Sequence, residues 1–174
     1  MDMNKRFSTP VKATAQCLVE TPLGAIRLAR SEAGLCGAWF DDQRHQPVDL
    51  PTQEQPNDDL LACAGLQLQE YFANQRKRFD LPLAPQGTDF QCEVWQALLD
   101  IDCGQTSSYG ALAKHIGRDK AVRAIGGAVG RNPISIIVPC HRVLGSDMSL
   151  TGYDGGLHRK RALLTLERAL WREV

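Results

Sequence analysis

Asn132-Pro133-Ile134-Ser135-Ile136-Ile137-Val138-Pro139-Cys140-His141-Arg142-Val143 is the stretch on which the chain turns. Its centre, Ile134 to Val138, is rich in β-branched residues and is bounded by two prolines. Proline removes a backbone donor and disfavours helix on either side, so this run predicts a short, buried, extended segment. Where the apolar run ends, it delivers a cysteine, a histidine and an arginine in succession. A structural thiol needs no such neighbours. A reactive one does, because the thiolate is the nucleophile and a free thiol, with a pKa of about 8.5, is only a few per cent ionised near neutrality.

Upstream of this stretch the pattern is helical. Thr88 followed by Gln91 fits a capping box that opens a helix running to Asp100, with Phe90, Val94, Trp95 and Leu98 on one face. Ser108 can cap a helix from Tyr109 to Ile116, which Gly117 stops, and a further helix spans Lys120 to about Gly130. Two short helices around a glycine-containing turn describe a helix-turn-helix, although any αα-hairpin looks similar. The second helix, Lys120-Ala121-Val122-Arg123-Ala124-Ile125-Gly126-Gly127-Ala128-Val129-Gly130, is short of bulky side chains. Each interior glycine costs up to about 1 kcal/mol. Close packing against another helix is one reason for them. Close approach to a ligand backbone is the other: a minor groove about 6 Å wide admits only a smooth helix, with Arg123 as its one long side chain.

Composition bounds the rest. The 174 residues are 43% hydrophobic, enough for a real core in one domain or two small ones. Net charge is zero, but residues 104–147 hold Lys114, Arg118, Lys120, Arg123, Arg131 and Arg142 against only Asp119 and Asp147. That segment is the candidate polyanion surface. Cys17, Cys36, Cys63, Cys92, Cys103 and Cys140 show no paired spacing, which argues against a disulfide framework or a zinc site. Residues 1–11 lack the apolar segment of a signal peptide, and no run approaches the roughly 20 apolar residues of a membrane span. A reduced, cytoplasmic protein with no metal and no membrane partner is expected.

The N-terminal half reads as strands followed by a helix. Ala15 to Val19, Ala25 to Ala29 and Leu35 to Phe40 are strand-like, and their short connections imply antiparallel neighbours. Residues 41–57 read as an exposed loop. Asp58 to Gln75 carries apolar residues at helical spacing, and the Arg76-Lys77-Arg78 run suits that helix's C-terminus. Residues 80–87, with two prolines and a glycine, are the linker candidate. The three tryptophans, Trp39, Trp95 and Trp171, read as packing residues.

Pro139-Cys140-His141-Arg142-Val143, preceded by Arg131-Asn132-Pro133 and followed by Thr151-Gly152-Tyr153-Asp154-Gly155-Gly156, strongly resembles the O6-methylguanine-DNA methyltransferase family. The matching stretch runs from about Thr88 to Glu167. The N-terminal half resembles that family's ribonuclease-H-like domain only through its Thr-Pro-Leu-Gly turn and strand-strand-helix order. The resemblance implies an α+β chain of two small domains. Residues 1–85 form the ribonuclease-H-like domain with a short antiparallel sheet, and residues 86–174 a mostly helical DNA-binding and alkyl-transfer domain.

It also implies a suicide repair protein that flips O6-alkylguanine out of double-stranded DNA from the minor groove and moves the alkyl group onto one cysteine, without a cofactor. By this similarity Cys140 is the acceptor, His141 takes the thiol proton through a water, and Glu167 orients the histidine. Asn132 is the hinge between recognition helix and active-site strand. Tyr109 crowds the target phosphate and hydrogen-bonds the base, and Arg123 fills the vacated stack. The carbonyls of Cys140 and Val143 accept the guanine amino group, and Tyr153 lines the pocket. Ala121, Gly126, Gly127 and Arg131 belong to the DNA-facing helix and its end. A monomer in solution is expected, with cooperative assembly on DNA left open.

Asp154 departs from the pattern, standing where the family usually carries serine or alanine beside the guanine oxygen. A carboxylate there would oppose the thiolate and narrow the pocket. Two other readings stay open: a non-catalytic alkyl-lesion sensor, against which Cys140 argues, and a cysteine hydrolase, which leaves the helix pair unexplained.

Overall fold

Hairpin chemistry builds the N-terminal half of the computed structural model, which describes residues 12–47, 50 and 53–173. Residues 1–11 lie outside the described residues. Strand β1 (Ala15–Val19) turns into β2 (Ile26–Ser31) through Thr21, whose hydroxyl donates to the Gly24 carbonyl at 2.6 Å and accepts from the Leu23 amide at 3.2 Å. Gly24 at φ +109° supplies the backbone this turn needs. A second hairpin leads into β3 (Gly34–Phe40), and the order β1-β2-β3 is antiparallel throughout. All three strands fall within a residue or two of expectation.

Every residue of β3 is buried, so simple alternation does not apply. A register shift opposite Ala29 and Arg30 inserts one extra residue, which lets Cys36 and Trp39 pack with Ala29 on one face while Leu35, Ala38 and Phe40 enter the main core on the other. Gly37 lies under the Trp39 ring, where a Cβ would collide with it.

Helix α1 (Asp59–Phe72) is capped by the Asp58 carboxylate, which accepts from the Leu60 and Leu61 amides at 3.1 Å each. Its Leu61, Ala64, Leu68 and Tyr71 stripe closes over the sheet. The expected basic C-terminus is corrected: the helix ends at Phe72, and Asn74 at φ +57° turns the chain away. Arg76 then pairs with Glu70 at 2.7 Å and Arg78 with Asp102 at 2.6 Å, so these charges find carboxylates rather than a helix end.

The linker candidate 80–87 is not a free connection. Leu35 donates to the Pro82 carbonyl and Ala84 to the Leu35 carbonyl, each at 2.8 Å, so this segment lies along β3. Farther along, Ala38 donates to Pro133 at 2.9 Å and Ser135 donates back to Ala38 at 2.8 Å. One strand edge thus holds both the interdomain segment and the stretch leading to Cys140, and an edge left open would be a liability.

The C-terminal half is helical as expected. Helix α2 (Asp89–Leu98) opens with the full Thr88–Gln91 capping box. A two-residue strand β4 (Ser107–Ser108) leads into α3 (Tyr109–His115), which Ser108 caps, and α4 (Val122–Gly130) follows. Trp95 donates from its indole to the Ala128 carbonyl at 2.8 Å, fixing α2 against α4. Strand β5 (Val143–Leu144) pairs parallel with β4, and α5 (Leu157–Leu166) closes the chain's regular structure. A single main core runs through sheet, α1, α2, α4 and the 134–138 run.

Candidate active site

The extended segment expected at Ile134–Val138 is buried but not extended. It is a knot of turns: Ile137 donates to Ser135 at 2.9 Å, Val138 donates to Ile134 at 3.0 Å, and Ile136 sits at φ +71°. A β-branched residue in the left-handed region is strained, and the surroundings must hold it there. Asn132 does much of that holding. Its Oδ1 accepts from the Ile134 amide at 3.0 Å, while Nδ2 donates to the carbonyls of Ile134 (3.3 Å) and Val138 (2.8 Å) and to the Cys140 sulfur at 3.0 Å. Regular strand pairing lost to the side-chain amide of Asn132, a competition that apolar patterning does not reveal.

Cys140 opens a single 3-10 turn, Cys140–Arg142, rather than ending a strand. The residue is 6% exposed and lines a cavity of about 550 Å³ together with Tyr109, Gly126, Tyr153 and Asp154. Burial pushes the thiol up to about 11, and Asp154 adds to the rise, whereas the Asn132 amide and the Lys160 ammonium oppose it. At neutral pH the resting sulfur is a thiol.

His141 is fully buried and its Nε2 lies 2.9 Å from Glu167 Oε1. A carboxylate only accepts, so Nε2 carries the proton and Nδ1 is the free base. Nδ1 has no protein partner among the described residues. Burial lowers the ring's pKa, against the pull of Glu167, and keeps it neutral, with the Nδ1 lone pair free. Glu167 is no solvated helix residue. It accepts from Arg142 through Nε at 2.9 Å and Nη2 at 2.8 Å, and from the Tyr71 hydroxyl at 2.7 Å. Burial works to raise its pKa, but the hydrogen bonds from His141 and Arg142 hold it well below the usual carboxylate range.

Arg142 is therefore corrected: it is buried, donates also to the Ile101 carbonyl, and leaves the polyanion-facing set. The expected exposed loop holds for most of its described residues, and Gln43 is its buried exception. Gln43, 3% exposed, accepts from the Phe40 amide at 3.3 Å and the Ser135 hydroxyl at 2.9 Å, while Asp42, Arg44 and His45 border the cavity.

Tyr109, first residue of α3, and Tyr153 both face the cavity, and burial raises both phenols so that they keep their protons. The Val143 carbonyl is already engaged by Lys160 Nζ, and the Cys140 carbonyl by the Val143 amide, leaving one lone pair on each. On α4, Arg123 is exposed, with no hydrogen bond or ion pair among the described residues. Ala121 starts this helix without a side-chain cap, and exposed Arg131 ends it, donating to the Gly127 carbonyl at 3.1 Å. A Cβ on Gly126 would only touch the Tyr109 ring at 3.8 Å, one on Gly127 would meet the Arg131 guanidinium at 3.2 Å, and one on Gly130 would meet nothing. Internal packing hardly requires these glycines.

Lys160 is the residue that patterning missed. Within a His-Arg-Lys-Arg run it reads as solvated, yet it is fully buried, donating to the carbonyls of Val143, Thr151 (2.7 Å) and Gly152 (3.4 Å). Burial pulls its pKa down to about 8. Its three acceptors tie the loop 151–152 to the Cys140 turn. No grouping of metal-binding side chains occurs among the described residues.

Comparison with known proteins identifies the family. Residues 16–85 match the family model described as 6-O-methylguanine DNA methyltransferase, ribonuclease-like domain, and residues 89–169 match its DNA binding domain. The chain is 47% identical over 150 residues to the methylated-DNA–protein-cysteine methyltransferase of Methanosarcina acetivorans, covering 86% of this chain and 96% of that protein. It is 46% identical over 151 residues to the Mycobacterium tuberculosis protein of the same name, covering 87% and 90%. A crystal structure of Mycobacterium tuberculosis OGT in complex with DNA superposes with a TM-score of 0.83 at 43% identity, covering 89% of this chain and 93% of that one. With both halves matched in order, and relatives this similar over nearly their full length, the chain belongs to the 6-O-methylguanine DNA methyltransferase family.

Proposed function

We propose that this chain repairs DNA by moving the alkyl group of O6-alkylguanine onto Cys140, acting once. The observation that carries the proposal is a buried cysteine lining a cavity of about 550 Å³, followed by a neutral histidine whose Nε2 is locked on a buried glutamate. In the reaction the Cys140 proton passes through a water to Nδ1 of His141, and Glu167 stabilises the imidazolium that results. The sulfur attacks the alkyl carbon in line. A sulfur–carbon bond forms, the carbon–oxygen bond breaks, and the guanine leaves with the electron pair and takes up one proton. Tyr109, still protonated, donates to the base as charge builds on it. The thioether product has no second nucleophile to cleave it, so turnover is single.

DNA binding follows the same logic. Lys114, Lys120, Arg123 and Arg131 are exposed around α3 and α4, and the smooth face of α4 suits a minor groove. The target base must leave the stack to reach the cavity, at a cost of a few kcal/mol, which Arg123 offsets by filling the gap. The test is an intact-mass measurement after incubation with a duplex carrying O6-methylguanine. One methylene per protein, absent in Cys140→Ala, is expected. Multiple turnover, or binding with no mass gain, would overturn the proposal.

A further inference from the structure

Asp154 borders the cavity, yet its side chain is only 10% exposed. Both of its oxygens are taken by one residue of the N-terminal half: Oδ2 accepts from the His45 amide at 2.9 Å, and Oδ1 lies 2.6 Å from His45 Nδ1. The loop that carries His45 is fixed independently. Arg159 donates to Asp42 at 2.6 Å and to the Gly155 carbonyl at 2.9 Å, and its guanidinium stacks 4.2 Å over the Phe40 ring. The backbone beside Asp154 is equally confined, since a Cβ on Gly155 would lie 2.8 Å from Tyr153 and 3.0 Å from Phe40. Rotation of the Asp154 side chain is the freedom that remains, and His45 removes it.

We infer that His45 is a positioning residue for alkyl transfer: it holds the Asp154 carboxylate on the outer wall of the cavity, away from the base site and the Cys140 sulfur. The inference rests on the reading of Cys140 as the alkyl acceptor. A negative charge that swings inward competes with the developing thiolate and occupies space meant for the guanine. The N-terminal half thereby supplies one wall of the substrate site and governs the charge felt at the nucleophile. The other groups facing that sulfur are Lys160 from α5, Asn132 before the turn, Tyr109 from α3, Tyr153 from the 151–156 loop, and His141 beside it.

The test compares wild type, His45→Ala, His45→Asn, Asp154→Asn and the double variant His45→Ala/Asp154→Asn. One readout is the pH dependence of Cys140 modification by iodoacetamide, followed by peptide mass spectrometry and independent of DNA. The other is the single-turnover rate with a methylated duplex. His45→Ala is expected to move the modification profile to higher pH and to slow both reactions about three- to tenfold, as a charge moved a few ångströms in a half-screened site should. His45→Asn, whose amide can replace Nδ1, restores wild-type behaviour. Asp154→Asn moves the profile to lower pH, and in that background His45→Ala adds less than about a twofold change. An unmoved profile in His45→Ala, or an equal loss with Asn at 154, overturns the inference. Wild type that reacts with iodoacetamide in this pattern but takes no methyl group instead overturns the repair reading and leaves the His45–Asp154 contact standing.

Discussion

Nε2 of His141 and Oε1 of Glu167 lie 2.9 Å apart at side chains that are 0% and 1% exposed, and the same carboxylate neutralises the Arg142 guanidinium. One carboxylate therefore serves the permanent cation of Arg142 and, in the proposed reaction, the transient imidazolium of His141. Glu167→Gln removes both services while keeping the shape. Leaving one buried charge unpaired costs about 3–5 kcal/mol, so chemical denaturation of the variant should show a loss of that order. The variant's methyl-transfer rate should also fall at least about tenfold at any pH, since no anion then favours the imidazolium.

Acid should act through the same group. Glu167 is held below its ordinary value in the folded chain, so its stabilisation is complete above about pH 4.3 and drains away as pH falls toward the lower folded value. His141, whose pKa burial depresses, contributes in the same direction as pH falls below about 6.5. Unfolding free energy measured from pH 7 down to 4 should decline in wild type and decline less in His141→Gln, which has no proton to take up. Parallel curves would remove the histidine from this account.

Lys160→Met tests a buried cation in two ways. Three carbonyls lose their donor, and an unsatisfied buried polar group costs about 1–3 kcal/mol, so the melting temperature should fall. The sulfur also loses a favourable charge. Iodoacetamide modification of Cys140, already displaced to alkaline pH in wild type by burial, should move further up. A stability loss without that movement would reduce Lys160 to a fastener of the 151–152 loop.

Asn132→Ala should be costlier than its size suggests. It strips partners from the Ile134 amide and the Val138 carbonyl and frees Ile136 from its left-handed conformation. A loss of about 2–4 kcal/mol is expected in denaturant unfolding, with methyl transfer reduced more than stability alone explains. Asn132→Asp keeps the acceptor to Ile134 but cannot donate to the sulfur, so it should recover stability in part and transfer hardly at all.

Arg123→Ala separates base extrusion from chemistry. With no partner among the described residues, its loss should change the unfolding free energy by no more than about 0.5 kcal/mol. Repair of a duplex should slow about tenfold or more, while repair of a single strand, whose bases need no extrusion, should change little. Equal losses on both substrates would end the stack-filling role.

Much of this was legible in the chain. The Thr88 capping box, the Ser108 cap and the Thr21–Gly24 turn are local chemistry, and the structure has them where the residues announce them. The association of Cys140, Asn132, His141 and Glu167 was read from a motif, because nothing in the spacing brings position 167 to position 141. What escaped was decided by tertiary pairing. Ile134–Val138 has strand composition, but Asn132 satisfies its backbone first. Lys160 and Arg142 look solvated, but each finds buried acceptors supplied by distant segments. Residues 41–47 are mostly the surface loop they look like, but Gln43 within them answers to Ser135, 92 residues away.

The exchange of hydrogen bonds between Ala38 and the Pro133–Ser135 backbone has a bearing on how the molecule can be divided. A fragment beginning near residue 86 would keep every residue assigned a chemical role except the His45 wall, yet it would lose the strand that braces the loop before the nucleophile. The complementary fragment would bare the outer rim of β3, with unpaired amides and carbonyls inviting self-association. Coexpressed as separate pieces, the halves should find one another and recover competence, whereas either alone should prove insoluble or inert. The boundary between them is therefore not a line along which the working unit can be cut.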